Sequence, residues 1–487
     1  MTARVKAPRR KQAVAGKAAK AVPRGTLRVR MYRVGFGDFF LVSVPSAKGP
    51  QHILLDCGVT PGTTHKGDIG TLKAAVRHMA AETDSHLALI IVTHRHQDHI
   101  IGFSRCQDVF KKFTVDAIWM SAWETEYPPV AKLQAALMEQ ARRAQLNLAL
   151  RADGDPTLAA VMGVLENATG VAANEKPGGG SNARSLQILK GELGVKPTYL
   201  HRGQAASLPA VLAEAGLQAE ILGPPPLDKL DFMKLADLTK GVGQYLAGAA
   251  GAGGGGEDAP GAFGGAWHAG PGAYPESAFT EWAPRPHGRL TEPSAANVKY
   301  VELAVAASQP AALAMAAKLL DDFLNNQSLV VAFTWNGKRL LFAGDAQAGN
   351  WEYWLFDVDA PSKQGLETLR ESSAALLRDL AFYKVGHHGS TNATPIAAVQ
   401  ALGEGFAAMC STQLDTYGSL ENESEVPRIP LLTALEKKCQ SVVRSDHHPF
   451  DFEGKKVAAV KGSKAALPKP ARGGRFEVGP CYVDYLL

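Results

Sequence analysis

One stretch limits the folds open to this chain more than any other: "LALIIVTHRHQDHIIGF", Leu87 to Phe103. An apolar run that can bury Ile90, Ile91 and Val92 stops at His94, His96, Asp98 and His99, side chains that all bind metals. Along an extended loop, side chains two apart face the same way, so His94 and His96 can grip one ion. Asp98 and His99 come where the chain should turn into a helix and can face a second ion. A single histidine at a strand end is usually an ordinary surface or core residue. HxHxDH spacing directly after a buried strand reads instead as a metal motif, and it requires a fold that opens strand ends to chemistry.

The surrounding sequence supplies such a fold. "TLRVRMYRV", "DFFLVSVP" and "HILLDCG" read as short strands separated by Gly/Pro/Lys turns. "GTLKAAVRHMAAE" has the apolar spacing of an amphipathic helix, and a second helix is expected over "DHIIGFSRCQDVFKKF", before the strand "VDAIWM". Strand, helix, strand, helix, strand is an α/β (α+β) rhythm. "SLVVAFTWNGKRLLFAGDA" reads as a hairpin around Asn336-Gly337, the pair favoured in a type I′ turn. "GLETLRESSAALLRDL" then reads as a helix leading into the short strand "AFYKV".

Two insertions interrupt this pattern. Residues of about 128–195 are Ala/Leu/Glu-rich and helical in pattern, and about 227–320 include the Gly/Ala-rich "YLAGAAGAGGGGEDAPGAFGGAWHAGPGAYP". The latter is read as a flexible surface segment. The expected organisation is a basic disordered tail over residues 1–25 and one domain over 26–487.

Charge is split along the chain. Residues 1–30 hold ten Lys/Arg and no acid, so a net +5 from 52 basic and 47 acidic residues leaves the remainder with 42 against 47, or −5. The tail can touch nucleic acid or an acidic partner without specificity, and a purely solubilising extension fits equally well. The acidic body weighs against strong polyanion binding. No apolar run approaches the roughly 18–20 residues that span a bilayer, and no membrane partner is expected. Five scattered cysteines without a CxxC pair do not form a disulfide framework, so a cytoplasmic location is expected.

Three further residues lie where apolar strands stop, the place where open α/β sheets put their chemistry: Asp56 in "ILLDCG", Asp345 in "FAGDA" and His387 in "YKVGHHGS". With HxHxDH, this order resembles the metallo-β-lactamase superfamily, and more narrowly the hydrolase domain of ComEC-type DNA-uptake competence proteins and their stand-alone relatives. The carrying stretches are "YRVGFGDFFLV", "ILLDCG", "THRHQDHIIGF", "NNQSLVVAFTWNGKRLLFAGDA" and "YKVGHHGSTNATP", which cover about residues 26–125 and 320–415. The resemblance implies a four-layer αββα sandwich, two sheets face to face with helices outside and metals at one edge.

On the residues and the resemblance together, His94 and His96 would hold the first ion, and Asp98, His99 and His387 the second. Asp345 would bridge them through its two oxygens, which suits ions about 3.5–4 Å apart. His387 is favoured over the adjacent His388. Asp56 would orient the ligand loop by hydrogen bonding, and His388, Ser390 and Thr391 would contact an anionic substrate oxygen. The chain departs from the pattern in two places. A further histidine for the first ion would have to come from His201, His268 or His287, of which His201 has the structured context. Where the ComEC-like group carries Asn-x-Tyr-Gly-His-Pro, this chain has "LDTYGSLENESEVPRIP". "SDHHPF" offers His447 and His448, read as a surface loop.

His and carboxylate ligands without thiolates suit Zn²⁺, with Mn²⁺ or Fe²⁺ as alternatives. Such ions lower the pKa of water to about 7 and so supply a hydroxide nucleophile, with Asp98 or Asp345 holding the proton. The resemblance implies phosphodiester substrates, nucleic acid among them. A small-molecule hydrolase acting on a lactone, amide or compact phosphoester is the second reading, and a non-catalytic metal-binding scaffold the third.

Overall fold

The computed structural model describes residues 25–61, 63, 70–149, 156–171, 181–235, 237–238, 242–245, 310–362, 364–414, 416–418, 425–439, 442–446, 467, 469–479 and 481–487. The basic tail up to residue 24, most of the Gly/Ala-rich segment, and His268, His287, His447 and His448 lie outside these residues. The described strands are, in chain order, β1 (Arg28–Tyr32), β2 (Phe40–Val44), β3 (Gln51–Leu55), β4 (His86–Leu87), β5 (Leu89–Val92), β6 (Thr114–Val115), β7 (Ile118–Ser121) and β8 (Pro197–Leu200). They continue with β9 (Leu217–Gly223), β10 (Val330–Trp335), β11 (Lys338–Phe342), β12 (Leu380–Lys384), β13 (Ala407–Cys410), β14 (Val442–Arg444), β15 (Arg475–Val478) and β16 (Tyr482–Leu486).

The strands form a mixed α/β architecture with two large sheets. One has the order β15-β16-β1-β2-β3-β5-β7-β8, the other β14-β13-β12-β11-β10-β9, and β4 pairs with β6 in a small ribbon. Each large sheet is antiparallel on one side and parallel on the other. The parallel runs are β3-β5-β7-β8 and β11-β12-β13-β14. The last strand returns to the first: β16 pairs with β1 from Arg28↔Leu486 to Tyr32↔Tyr482, and Leu27 and Leu487 exchange backbone hydrogen bonds.

Period-two alternation sends successive side chains of each strand to opposite faces. One core cluster draws Met31, Phe40, Ile53 and Ile91 from the first sheet and Val331, Phe342, Phe382 and Met409 from the second, so the sheets pack through those faces. The opposite face of the first sheet packs Ile90 and Val92 against the helices Leu72–Glu82 and Gln97–Arg105. The opposite face of the second packs Leu341, Tyr383 and Ala408 against helices Ala348–Leu355, Glu371–Arg378 and Ile429–Cys439. The Leu72–Glu82 helix buries Leu72, Ala75, Val76 and Met79, the i, i+3, i+4, i+7 stripe, and Thr71 caps it by accepting from the Ala74 N–H at 3.3 Å. The β10–β11 turn is left-handed at both Asn336 (φ 48°) and Gly337 (φ 71°), as a type I′ turn requires. The helix expected over 365–380 is shorter, Glu371–Arg378, because Leu369 makes a β-bridge to Phe356 instead.

Residues 128–195 contribute helices Pro128–Ala149, Pro156–Thr169 and Ser181–Gln187. The first two share a core with helix Pro310–Asn326 through Leu137, Leu165, Leu320 and Leu324. The second and third brace the motif helix. Asn167 accepts from the Asp98 N–H at 3.2 Å, and Gln97 donates to Ser181 at 2.9 Å. Among the described residues no helix is long and apolar enough to cross a membrane.

One buried histidine gives the fold a pH dependence of its own. His52 is 6% exposed, and burial, reinforced by Arg28, lowers its pKa to about 4. Arg28 donates to Ser43 Oγ at 3.0 Å, which leaves the serine proton for His52 Nδ1 at 3.0 Å and requires a neutral ring. As pH falls from about 6.5 towards 4, the unfolded chain takes up a proton that the folded chain refuses, so stability is lost across that window. The slope approaches about 1.4 kcal/mol per pH unit. Urea titrations at pH 7, 6 and 5 should show this component, and His52→Gln should remove it.

Candidate metal centre

The site forms where the carboxyl ends of parallel strands from both sheets meet. β3 delivers Asp56, β5 delivers Thr93 and His94, β11 delivers Asp345, and β12 delivers His387 and His388. Close backbone contacts fix their relation. Asp38 N–H donates to the Asp98 carbonyl at 2.9 Å, Cys57 N–H to the His99 carbonyl at 2.7 Å, and Gly58 N–H to the Asp38 carbonyl at 2.9 Å. The "LLDCG" loop thus lies directly on the first turn of the motif helix. At Gly58 a Cβ would stand 2.1 Å from the Asp98 carbonyl carbon. The neighbour is backbone and cannot swing away, so Gly58→Ala should cost about 1–3 kcal/mol or more. It should also displace Asp98, seen as a lower melting temperature together with weaker metal uptake.

His99, His388 and His94 each have one ring nitrogen held from behind and the other aimed inward, and His96 turns one nitrogen towards His94. His99 Nδ1 donates to Asp56 Oδ2 at 2.8 Å, and Asp56 also accepts from the Thr93 hydroxyl at 2.6 Å and the Thr93 N–H at 2.8 Å. His388 Nδ1 donates to the Ser411 carbonyl at 2.7 Å, which leaves Nε2 to face inward. His94 Nδ1 lies 3.1 Å from Thr93 Oγ1 and 3.3 Å from Ser328 Oγ, and its Nε2 meets His96 Nδ1 at 2.9 Å. His96 Nε2 points away, 3.5 Å from Asp321 Oδ1.

The inward atoms of Asp98, His99, Asp345 and His388 all lie within 4.8 Å of one another, and all four residues are buried. His99 Nε2 is 3.0 Å from Asp345 Oδ2, and His388 Nε2 is 3.2 Å from both Asp345 Oδ2 and Asp98 Oδ2. Donor atoms around a tetrahedral ion with 2.0–2.2 Å bonds stand about 3.3 Å apart. His99 Nε2, His388 Nε2 and Asp98 Oδ1 have no aligned hydrogen-bond partner despite this crowding. Buried polar atoms seldom stay unbonded without a reason. Convergence on a common point is the arrangement a cation needs, and the residues fit one.

Electrostatics agree. Burial opposes a charge on His99, but Asp345, Asp56, Asp98 and Asp38 outweigh it and raise its pKa well above the usual value. His388 behaves alike and rises to about 10, driven chiefly by Asp345. Burial would raise Asp98 and Asp345, yet the facing histidines hold both below the ordinary carboxylate range. A divalent cation at this point would compete with the positive charge that these acids favour on His99 and His388. His94, by contrast, is pushed well below its usual value, first by burial and then by His99 and His96.

Several assignments change. The second group closes on His388, whereas His387 is half-buried with Nδ1 2.7 Å from Ser390 Oγ and 3.0 Å from Asn392 Oδ1. Both histidines have left-handed backbone (φ 41° and 51°), which takes them out of the two-fold alternation of a strand, so spacing along the chain could not tell which of them faces the group. Ser390 is engaged with His387 and Asn392 rather than presented to substrate, and Thr391 is buried beside it. Asp345 sends Oδ2 to the two histidines, while Oδ1 lies 3.6 Å from Lys384 Nζ without a hydrogen-bond partner. His201 extends β8, two strands beyond β5, with Nδ1 2.8 Å from the Arg202 carbonyl. Among the described residues it joins neither group of convergent ligands.

Four participants were not identified from the sequence. Lys384 is 1% exposed, pairs with Asp38 and donates to the Gly344 carbonyl at 3.1 Å. Asp38 itself accepts from Ser411 Oγ and stands 3.7 Å from both His99 and His388. A lysine inside the apolar strand "AFYKV" and an aspartate in the quoted "GFGD" were the available signals. Ser411 and Asp321 had none. No protein-family model matches the chain, and no curated protein matches it.

Proposed function

We propose that this chain is a divalent-metal-dependent hydrolase with a metallo-β-lactamase-like αββα sandwich, acting on phosphodiester bonds. The observation that carries the reading is the convergence of Asp98, His99, Asp345 and His388 on one point, with unbonded donor atoms. The helix–sheet–sheet–helix order of the cores supports the fold, and the resemblance of the motifs to ComEC-type hydrolase domains supports the bond class. Asp98, His99, Asp345 and His388 would hold one ion, and His94 Nε2 with His96 Nδ1 a second. Zn²⁺ suits these donors best, with Mn²⁺ or Fe²⁺ as alternatives. When bound, the ions would lower the pKa of water and offset charge on phosphoryl oxygens.

The chain's own groups would do the rest. Asp56 and the Ser411 carbonyl fix the histidine tautomers, so no reorganisation is needed when substrate arrives. Asp98 Oδ1, buried and unbonded, is placed to take a proton from the attacking water. A compact substrate is favoured over a long polyanion by the acidic body, which carries −5 outside residues 1–30. Nucleic acid would then depend on the basic tail. The buried thiols Cys57, Cys106, Cys410 and Cys481 support a cytoplasmic setting.

The test is elemental analysis of protein prepared without chelators, followed by turnover of model phosphodiesters and lactones. Bound transition ions with phosphodiester turnover are the expected result. Turnover of a small phosphoester that ignores salt and removal of residues 1–25 would favour the compact substrate. Absence of any bound ion would overturn the reading.

A further inference from the structure

The first ion site has only two histidines from the motif, and the structure shows what surrounds them. The segment Asp321–Ser328, from the end of helix Pro310–Asn326 into β10, touches three separate motif stretches. Ser328 Oγ lies 3.3 Å from His94 Nδ1 and accepts from the Asp345 N–H at 3.0 Å. Asn325 Nδ2 lies 3.4 Å from His387 Nε2 and donates to Asp321 Oδ2 at 3.0 Å. Asp321 Oδ1 lies 3.5 Å from His96 Nε2, a nitrogen buried without a hydrogen-bond partner. His96 is 1% exposed and Asp321 9%.

The ring geometry decides what Asp321 can do. Imidazole nitrogens diverge, so a carboxylate facing Nε2 cannot share the ion that Nδ1 faces. Drawn a few tenths of an ångström closer than its present 3.5 Å, an ionised Asp321 would accept the Nε2 proton and so leave the Nδ1 lone pair turned towards His94 Nε2, 2.9 Å away. Carboxylates that hold the outer nitrogen of a ligating histidine fix its tautomer and strengthen it as a ligand. Asp56 stands in this relation to His99.

We propose that Asp321 is a positioning residue of the first ion site, holding His96 in the tautomer that offers Nδ1 to the metal. This rests on the metal-centre reading above. It gives helix Pro310–Asn326, which no spacing argument connected with HxHxDH, a part in building the site.

The test uses the full chain, stripped of metal and titrated with Zn²⁺ and with Co²⁺, whose absorption reports the ligand set. Asp321→Leu should weaken one of two binding steps by about 10–100-fold and leave the other unchanged. The unchanged step serves as the control for folding. Asp321→Asn, whose side-chain carbonyl can still accept from Nε2–H, should stay within a few-fold of the unmodified protein. Long-range ¹⁵N spectra should assign the proton of His96 to Nε2 in the unmodified protein and to a mixture in Asp321→Leu. Two unaltered binding steps in Asp321→Leu would overturn the proposal alone. So would loss of an ion from Asp321→Asn as complete as from Asp321→Leu, since that marks a direct ligand. Failure of the unmodified protein to bind any ion would overturn the metal centre itself.

Discussion

His388→Ala should abolish binding of the ion proposed at Asp98, His99 and Asp345 and lower the proposed hydrolytic turnover on the order of 10³-fold, about 4 kcal/mol of barrier. His387→Ala should keep that ion and change turnover less than about tenfold. The contrast follows from direction, not proximity. His388 Nε2 stands 3.2 Å from two carboxylate oxygens, and its other nitrogen is fixed on the Ser411 carbonyl. His387 is turned to Ser390 and Asn392. Metal content and single-turnover rates on both variants check this, and the opposite ranking would return the ligand role to His387.

Lys384→Met should cost about 3–5 kcal/mol of folding stability, the usual result of removing one partner of a buried ion pair. Asp38, Asp56, Asp98 and Asp345 are all 1–2% exposed, and Lys384 is the ammonium among them. Burial alone would lower its pKa, yet Asp38 and Asp345 raise it above the ordinary lysine value, so it is charged across the working range. Without it, Asp38 loses its closest cationic partner. An added divalent ion should recover part of the loss and should bind more tightly than in the unmodified protein, because one competing cation is gone. Thermal unfolding with and without metal measures both effects. An unchanged melting temperature without metal would show that another group balances the acids.

Sequence reasoning reached the elements whose causes are local. The apolar run before His94 made β5 legible, Asn336-Gly337 the β10–β11 hairpin, and the apolar stripe from Leu72 to Met79 its helix. HxHxDH marked a candidate metal site because the ligand types and their spacing lie within a few residues. The sequence alone therefore determined an α/β pattern of strands ending in ligands, and a concentration of chemistry after β5. Tertiary structure decided which of those ligands meet. The choice of His388 depends on two successive left-handed residues and on a carbonyl 23 positions further along. Lys384 meets Asp38 only because β12 lies beneath the turn that carries Asp38, and Asp321 reaches His96 only through the packing of a helix from the far side of an insertion. Spacing along a chain fixes which side chains can share a face, whereas direction and long-range contact are set by packing, and a metal centre assembled from two sheets depends on both.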